Sequence, residues 1–181
     1  MFFNESLDLF SYFNKIVKEF VAMSKETVSE ESIFYLSHLL ANRSNIKDSY
    51  PETLAELRFM AIEGTSKQAI EAYREMGDRA LFISGFFRGS LQHRIVNVDY
   101  YYKMGSMAYA SLLTLIDAPF FAELSKHFVF FSEIIRDIAF HVRGSNKDLI
   151  AMYEEWLQTR DPKVACRLQR MGFNMDALII A

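Results

Sequence analysis

The clearest helical pattern of the chain lies in residues 119–143, PFFAELSKHFVFFSEIIRDIAFHVR. Apolar side chains recur there in alternating steps of three and four residues, which is the spacing of one face of an α-helix. The members of this seam are Phe121, Leu124, Phe128, Phe131, Ile135, Ile138 and Val142. The pattern predicts one long aromatic-rich helix over about 119–143, at the centre of an all-α fold.

The helical period continues through the rest of the chain. Thr27 followed by Glu30 has the spacing of a capping box, and Pro51 suits the first position of a further helix. The low counts of 7 Gly and 3 Pro argue against an all-β chain with many tight turns. We therefore expect a bundle of about eight helices that forms a single domain over residues 1–181.

The composition excludes several classes of protein. A hydrophobic fraction of 51% is ample for a core, and one cysteine excludes a disulfide framework and a zinc site built from cysteines. The net charge of -3 gives no reason to expect nucleic acid as a partner.

A membrane span is not expected. The longest uncharged run, residues 104–116, has 13 residues, and a bilayer requires roughly 20. The first residues show neither a basic region nor a cleavage site of a secretory signal. We therefore expect a cytoplasmic protein in which Cys166 is reduced.

Two carboxylate–histidine pairs lie within residues 119–143. Glu123 and His127 are four residues apart, as are Asp137 and His141. Such pairs contribute to metal sites or to base catalysis, and they also occur as plain ion pairs on a helix surface. The pairs lie about 21 Å apart along a helix, so they cannot share one ion. The candidate metal ligands are His127, His141 and Glu123, and the sequence indicates no particular cofactor.

A second candidate site lies around residues 77–102, where charged side chains interrupt an apolar stretch. Its predicted ligand-binding residues are Asp78, Arg88, Arg94, Asp99 and Tyr101, with His127 contributed by residues 119–143. One interpretation is a polar pocket for a small anionic or aromatic ligand. The other is a network of buried ion pairs that fixes the turn between two core helices, because an unpaired buried charge is very costly.

The last predicted helix carries a basic face made of Lys163, Arg167 and Arg170. Such a face contacts phosphate or an acidic partner in some proteins, and more often it is simply solvated. We interpret it here as a solvated face.

One part of the chain resembles a family of uncharacterised, all-helical bacterial proteins. The likeness rests on GDRALFISGFF at residues 77–87, VDYY at 98–101 and MG at 104–105, with weaker matches at 156–159 and 167–172. The resemblance implies a helical bacterial protein. It implies no activity and no site residues.

Two functions are compatible with these observations. The first is a non-enzymatic binding, regulatory or adaptor protein that acts through helix-packing interfaces and self-associates as a homodimer, because 17 Phe, 9 Tyr and 9 Met favour interaction surfaces. The alternative is a bundle that binds a small molecule, a metal or haem, with or without enzymatic activity. Its pocket would lie between the helices around 78–101 and 120–142.

Overall fold

The computed structural model describes residues 5–24, 26–43, 52–91, 96–144 and 146–172. Every regular element in these residues is an α-helix, which confirms the predicted all-α fold class. The helices are α1 (Glu5–Ala22), α2 (Glu30–Arg43), α3 (Leu54–Glu63), α4 (Ser66–Phe86), α5 (Arg88–Leu91), α6 (Val98–Leu112), α7 (Phe120–Lys126), α8 (Phe128–Arg143), α9 (Asn146–Thr159) and α10 (Pro162–Arg170).

Capping boxes set the start of two helices. The Thr53 hydroxyl accepts a hydrogen bond from the backbone N–H of Glu56, whose carboxylate accepts one from the Thr53 N–H. Thr65 and Gln68 form the same arrangement at α4. The predicted cap at Thr27 is wrong, because α2 begins at Glu30, directly after Ser29. Pro51 lies outside the described residues.

The long helix predicted over 119–143 consists of two helices, α7 and α8. They are separated at His127, whose dihedral angles (φ -103°, ψ 27°) leave the helical region. This break, together with the short helix α5, explains why the described residues contain ten helices rather than about eight. The apolar seam is confirmed from Phe121 to Ile138, whose members are all buried, whereas Val142 is 45% exposed.

The chain divides into two compact units, and the division falls inside α8, between Arg136 and Asp137. The single domain over residues 1–181 stays a prediction. In the first unit, α4 packs closely against α6, and Gly77 of α4 faces the Tyr109 ring of α6. A Cβ added at Gly77 would lie 2.5 Å from Cε1 of Tyr109. This close approach places Asp78, the next residue of α4, beside Tyr109.

The second unit has its own apolar core. Met152 and Trp156 of α9 pack with Val164 and Leu168 of α10, and all four are buried. The guanidinium of Arg160 lies over the Trp156 ring, 4.3 Å from its centroid, in a cation–π contact.

The uncharged run of residues 104–116 covers most of α6 and the turn that follows it. Met104, Ala108 and Leu112 recur every four residues in this run and are buried in the first unit. No helix within the described ranges is both long enough and apolar enough to cross a membrane.

Candidate functional site

The described residues predicted to line a pocket around 78–101 do not lie together at one site. Arg88 donates a hydrogen bond from Nη1 to the Tyr102 hydroxyl (2.8 Å). Asp99 is exposed in the first turn of α6, and Tyr101 is partly buried in the same helix. Between the described residues, no hydrogen bond or ion pair joins Asp78 to Arg88 or Asp99. Arg94 lies outside the described residues.

Asp78 instead joins α4 to two other helices through tyrosine hydroxyls. Its Oδ1 accepts a hydrogen bond from Tyr35 of α2 (2.6 Å) and another from Tyr109 of α6 (2.8 Å). Tyr109 is fully buried, and its ring meets that of Tyr35 edge-on at 6.3 Å. No described residue donates a hydrogen bond to Oδ2 of Asp78.

Burial raises the pKa of Asp78 to about 6. The hydrogen bonds from Tyr35 and Tyr109 and the charge of Arg43 favour the ionised form, but they do not outweigh the loss of solvent. Burial also raises the pKa of both tyrosine hydroxyls well above the ordinary value. Asp78 therefore changes charge near pH 6, while both donors keep their protons.

Two buried arginines of this region pair with Glu75 rather than with Asp78. Nη2 of Arg43 lies 2.5 Å from the Glu75 carboxylate, and Nη2 of Arg79 lies 2.8 Å from it. Arg79 also donates a hydrogen bond to the backbone carbonyl of Glu52. The buried ion pairs of this region are thus centred on Glu75, and the expected ion-pair network around Asp78 is not observed among the described residues.

A groove of about 610 Å³ lies between α1, α2 and the start of α7. Its lining residues are Phe10, Asn14, Lys18, Glu30, Glu31, Phe34, Tyr35 and Phe120. Tyr35 belongs both to the groove and to the Asp78 network, because its hydroxyl donates to Asp78. The Asp78 carboxylate therefore fixes one wall of the groove, and we refer to this region as the aromatic groove.

Ring contacts hold the aromatic walls of the groove in place. Phe10 meets Phe34 edge-on at 5.1 Å and lies 4.4 Å from the His38 ring. On the other side, the Tyr35 ring lies 5.2 Å from the ring of Phe120. Phe34 nevertheless remains 54% exposed. In the part of the chain that the structure describes, the aromatic groove thus presents ordered aromatic rings that are partly buried, with Phe34 exposed.

Glu123 and His127 contact residues at the N-terminus of α2. Glu123 accepts hydrogen bonds from the N–H of Ser29 (3.1 Å), the hydroxyl of Ser29 (2.6 Å) and the hydroxyl of Ser32. Burial alone would raise the pKa of Glu123, but these hydrogen bonds outweigh it and lower the pKa below its ordinary value. Nδ1 of His127 lies 3.5 Å from the Glu26 carboxylate. This geometry caps a helix, and it gives Glu123 a structural role.

The metal ligands proposed from the sequence are not gathered at one point. His141 is exposed in the last turn of α8, whereas Glu123 is engaged at α2. Within the part of the chain that the structure describes, no group of three His, Cys, Asp or Glu side chains has the arrangement needed to hold a metal ion.

Asp137 forms a buried ionic cluster that the sequence analysis did not predict. It is fully buried, and its two oxygens accept hydrogen bonds from Nε of Arg167 (3.1 Å) and from Nη1 of Arg170. The interpretation of these arginines as a solvated basic face is therefore wrong. A carboxylate that is buried in the second unit requires compensating cations, and α10 supplies them.

The aromatic groove was also missed. Phe10 has the helical spacing of an apolar stripe on α1, and Phe34 and Tyr35 lie beside the apolar stripe of Ile33 and Leu36. Two adjacent aromatic residues outside a buried stripe were the signal that the sequence offered.

Comparison with known proteins finds no matching family model, no similar curated protein and no similar solved structure. The resemblance to the uncharacterised bacterial family therefore stays a prediction.

Proposed function

We propose that this is a non-enzymatic binding protein that takes a small apolar molecule in the aromatic groove. The observation that carries this proposal is the groove itself, where four aromatic residues from three helices face an open space of about 610 Å³. Pockets that bind small molecules typically measure about 300–1,000 Å³ and are lined mainly by apolar and aromatic side chains with a few polar groups.

Pre-organisation supports the proposal. The Tyr35 hydroxyl donates a hydrogen bond to Asp78, and the Tyr35 ring contacts the ring of Phe120 at 5.2 Å. A wall that is ordered before binding costs less conformational entropy when the ligand arrives. The binding free energy then comes from burying Phe34, which is 54% exposed, and from the apolar surface of the ligand.

The position of the site differs from the pocket expected around 78–101 and 120–142. Asp78 and Phe120 both contribute, but Asp78 acts from behind Tyr35 and holds that ring in place. The polar groups at the groove surface are Asn14, Lys18, Glu30 and Glu31.

Fluorescence of N-phenylnaphthylamine, a neutral dye that brightens in apolar sites, tests the proposal. We expect the wild-type protein to bind the dye saturably, and Phe34→Ala to weaken binding at least about tenfold, because it removes a large aromatic wall. Phe59→Ala on α3 is the matched control, since Phe59 is 66% exposed and does not line the groove. Dye affinity should not change in this control.

Two results would overturn the proposal. One is the absence of saturable dye binding to the folded wild-type protein. The other is an equal loss of dye affinity in Phe34→Ala and Phe59→Ala, which would place the dye on exposed apolar surface in general. Circular dichroism of each variant confirms that it is folded.

The adaptor role, self-association and cytoplasmic location expected from the sequence stay predictions. Light scattering over a concentration series tests self-association. A strict monomer at high micromolar concentration would count against it.

A further inference from the structure

Three charged residues line the aromatic groove, and two of them neutralise each other. Nζ of Lys18 lies 2.8 Å from the Glu30 carboxylate. The third residue, Glu31, takes part in no ion pair among the described residues. Among the described residues that line the groove, Glu31 is therefore the one charged side chain without an ionic partner.

The aromatic walls, like the Glu31 carboxylate, favour a positively charged ligand. The faces of Phe and Tyr rings carry partial negative charge, so they attract a cation and repel an anion. Phe34 lies one helical turn after Glu30 and Glu31 on α2, which brings carboxylate and ring to the same stretch of the groove.

We infer that the natural ligand of the aromatic groove is an organic cation, with an apolar or aromatic body on the rings and its positive group at Glu31. This inference rests on the proposed function and names its ligand class. Ammonium and guanidinium groups both have the required chemistry, because each carries a positive charge and hydrogen-bond donors that suit a carboxylate.

Glu31 also has a role that does not involve a ligand. It lies in the first turn of α2, where a negative charge interacts favourably with the helix dipole and so stabilises the helix. Removing this charge lowers the melting temperature slightly, which thermal melting detects separately from binding.

Three probes with the same indole body separate charge from apolar contact. Tryptamine ends in an ammonium group, tryptophol in a neutral hydroxyl and indolepropionate in a carboxylate. Displacement of N-phenylnaphthylamine from the wild-type protein measures their affinities. We expect tryptamine to bind about two- to fivefold more tightly than tryptophol, which is the range for an exposed charge pair, and indolepropionate to bind most weakly.

The variant Glu31→Gln should abolish the preference for tryptamine over tryptophol. Glu63→Gln is the matched control, because Glu63 is an exposed residue of α3 outside the groove, and its loss changes the net charge by the same amount. The preference should persist in this control and should decrease at high ionic strength.

The outcomes separate the inference from the proposed function. If tryptophol displaces the dye but tryptamine binds no better, or if Glu31→Gln retains the preference, the cation inference is overturned and the binding function stands. If neither tryptophol nor the dye binds saturably, the proposed function and the inference fail together.

Discussion

Two aspartates, Asp78 in the first unit and Asp137 in the second, show two ways of keeping a carboxylate away from solvent. Asp137 is fully buried and accepts hydrogen bonds from Arg167 and Arg170. Asp78 accepts hydrogen bonds from two neutral phenols, while the arginines of its neighbourhood pair with Glu75. The charge of Asp137 is compensated by direct ion pairs, whereas the hydrogen bonds to Asp78 come from neutral donors.

The difference assigns the two sites different roles. An acid that accepts hydrogen bonds from two cations has its charge compensated, and it serves the architecture of the second unit. An acid held by neutral donors gains less from ionisation, so burial raises the pKa of Asp78 to about 6. The carboxylate behind the aromatic groove thus has its pKa raised by burial.

Removing the charge of Asp137 should have the largest effect. In Asp137→Asn, Arg167 and Arg170 lose this counter-charge, and breaking a buried pair in this way costs about 3–5 kcal/mol in the free energy of unfolding. Urea denaturation followed by the fluorescence of Trp156, the only tryptophan of the chain and a core residue of the second unit, measures this loss.

Asp117→Asn is the control for Asp137→Asn, because Asp117 is exposed and its charge is solvated. A loss below about 1 kcal/mol in Asp137→Asn, which is typical of surface pairs, would show that the cluster is not a buried ion pair in solution.

Asp78→Asn should change the pH dependence of stability. The folded protein holds the Asp78 proton more tightly than the unfolded chain does, because the pKa rises from 3.8 to about 6 on folding. This group therefore stabilises the fold below pH 4, and its contribution is lost as the pH rises through 6. Over the whole titration, the wild type should lose about 3 kcal/mol relative to the variant, and most of this loss should occur between pH 4 and pH 7.

Circular dichroism of the helices during denaturation at each pH measures the free energy of unfolding of wild type and Asp78→Asn. The amide oxygen of the substituted asparagine can still accept hydrogen bonds from both tyrosines, so the comparison isolates the charge. A stability difference between wild type and variant that is constant from pH 4 to pH 7 would contradict the assignment of the raised pKa to Asp78.

Tyr109→Phe should have the smallest of the three effects. The substitution removes one of the two hydrogen bonds to Asp78 and keeps the buried ring, so we expect a loss of about 2 kcal/mol when Asp78 is ionised. The loss should be smaller at pH 5 than at pH 8, because the missing donor mainly stabilised the charged form. Equal losses at both pH values, measured by the same denaturation experiment, would contradict this account.

The helices could be predicted from the sequence because their signals are local. Caps such as Thr65 with Gln68 and the seam from Phe121 to Ile138 lie within a few turns of one helix. The break at His127 has no comparable local signal, since neither Gly nor Pro is present there. Secondary structure was therefore predicted well, apart from this division and the start of α2.

The sites could not be predicted in the same way because their contacts are distant in sequence. Tyr35 lies 43 residues from Asp78, and Arg167 lies 30 residues from Asp137. Asp78 was recognised as a carboxylate that needs partners, but arginines were expected where tyrosines are found. Which hydrogen-bond donors lie beside each carboxylate depends on which helices pack together. The apolar period of each helix does not specify that packing.

The most direct test of the binding function is an NMR titration of uniformly labelled protein with tryptophol. We predict that the largest shift changes occur at the backbone amides of Phe10, Phe34 and Phe120, which line the aromatic groove on three different helices. Shift changes centred on Phe59 of α3, or spread evenly over the assigned residues, would contradict the assignment of the aromatic groove as the binding site.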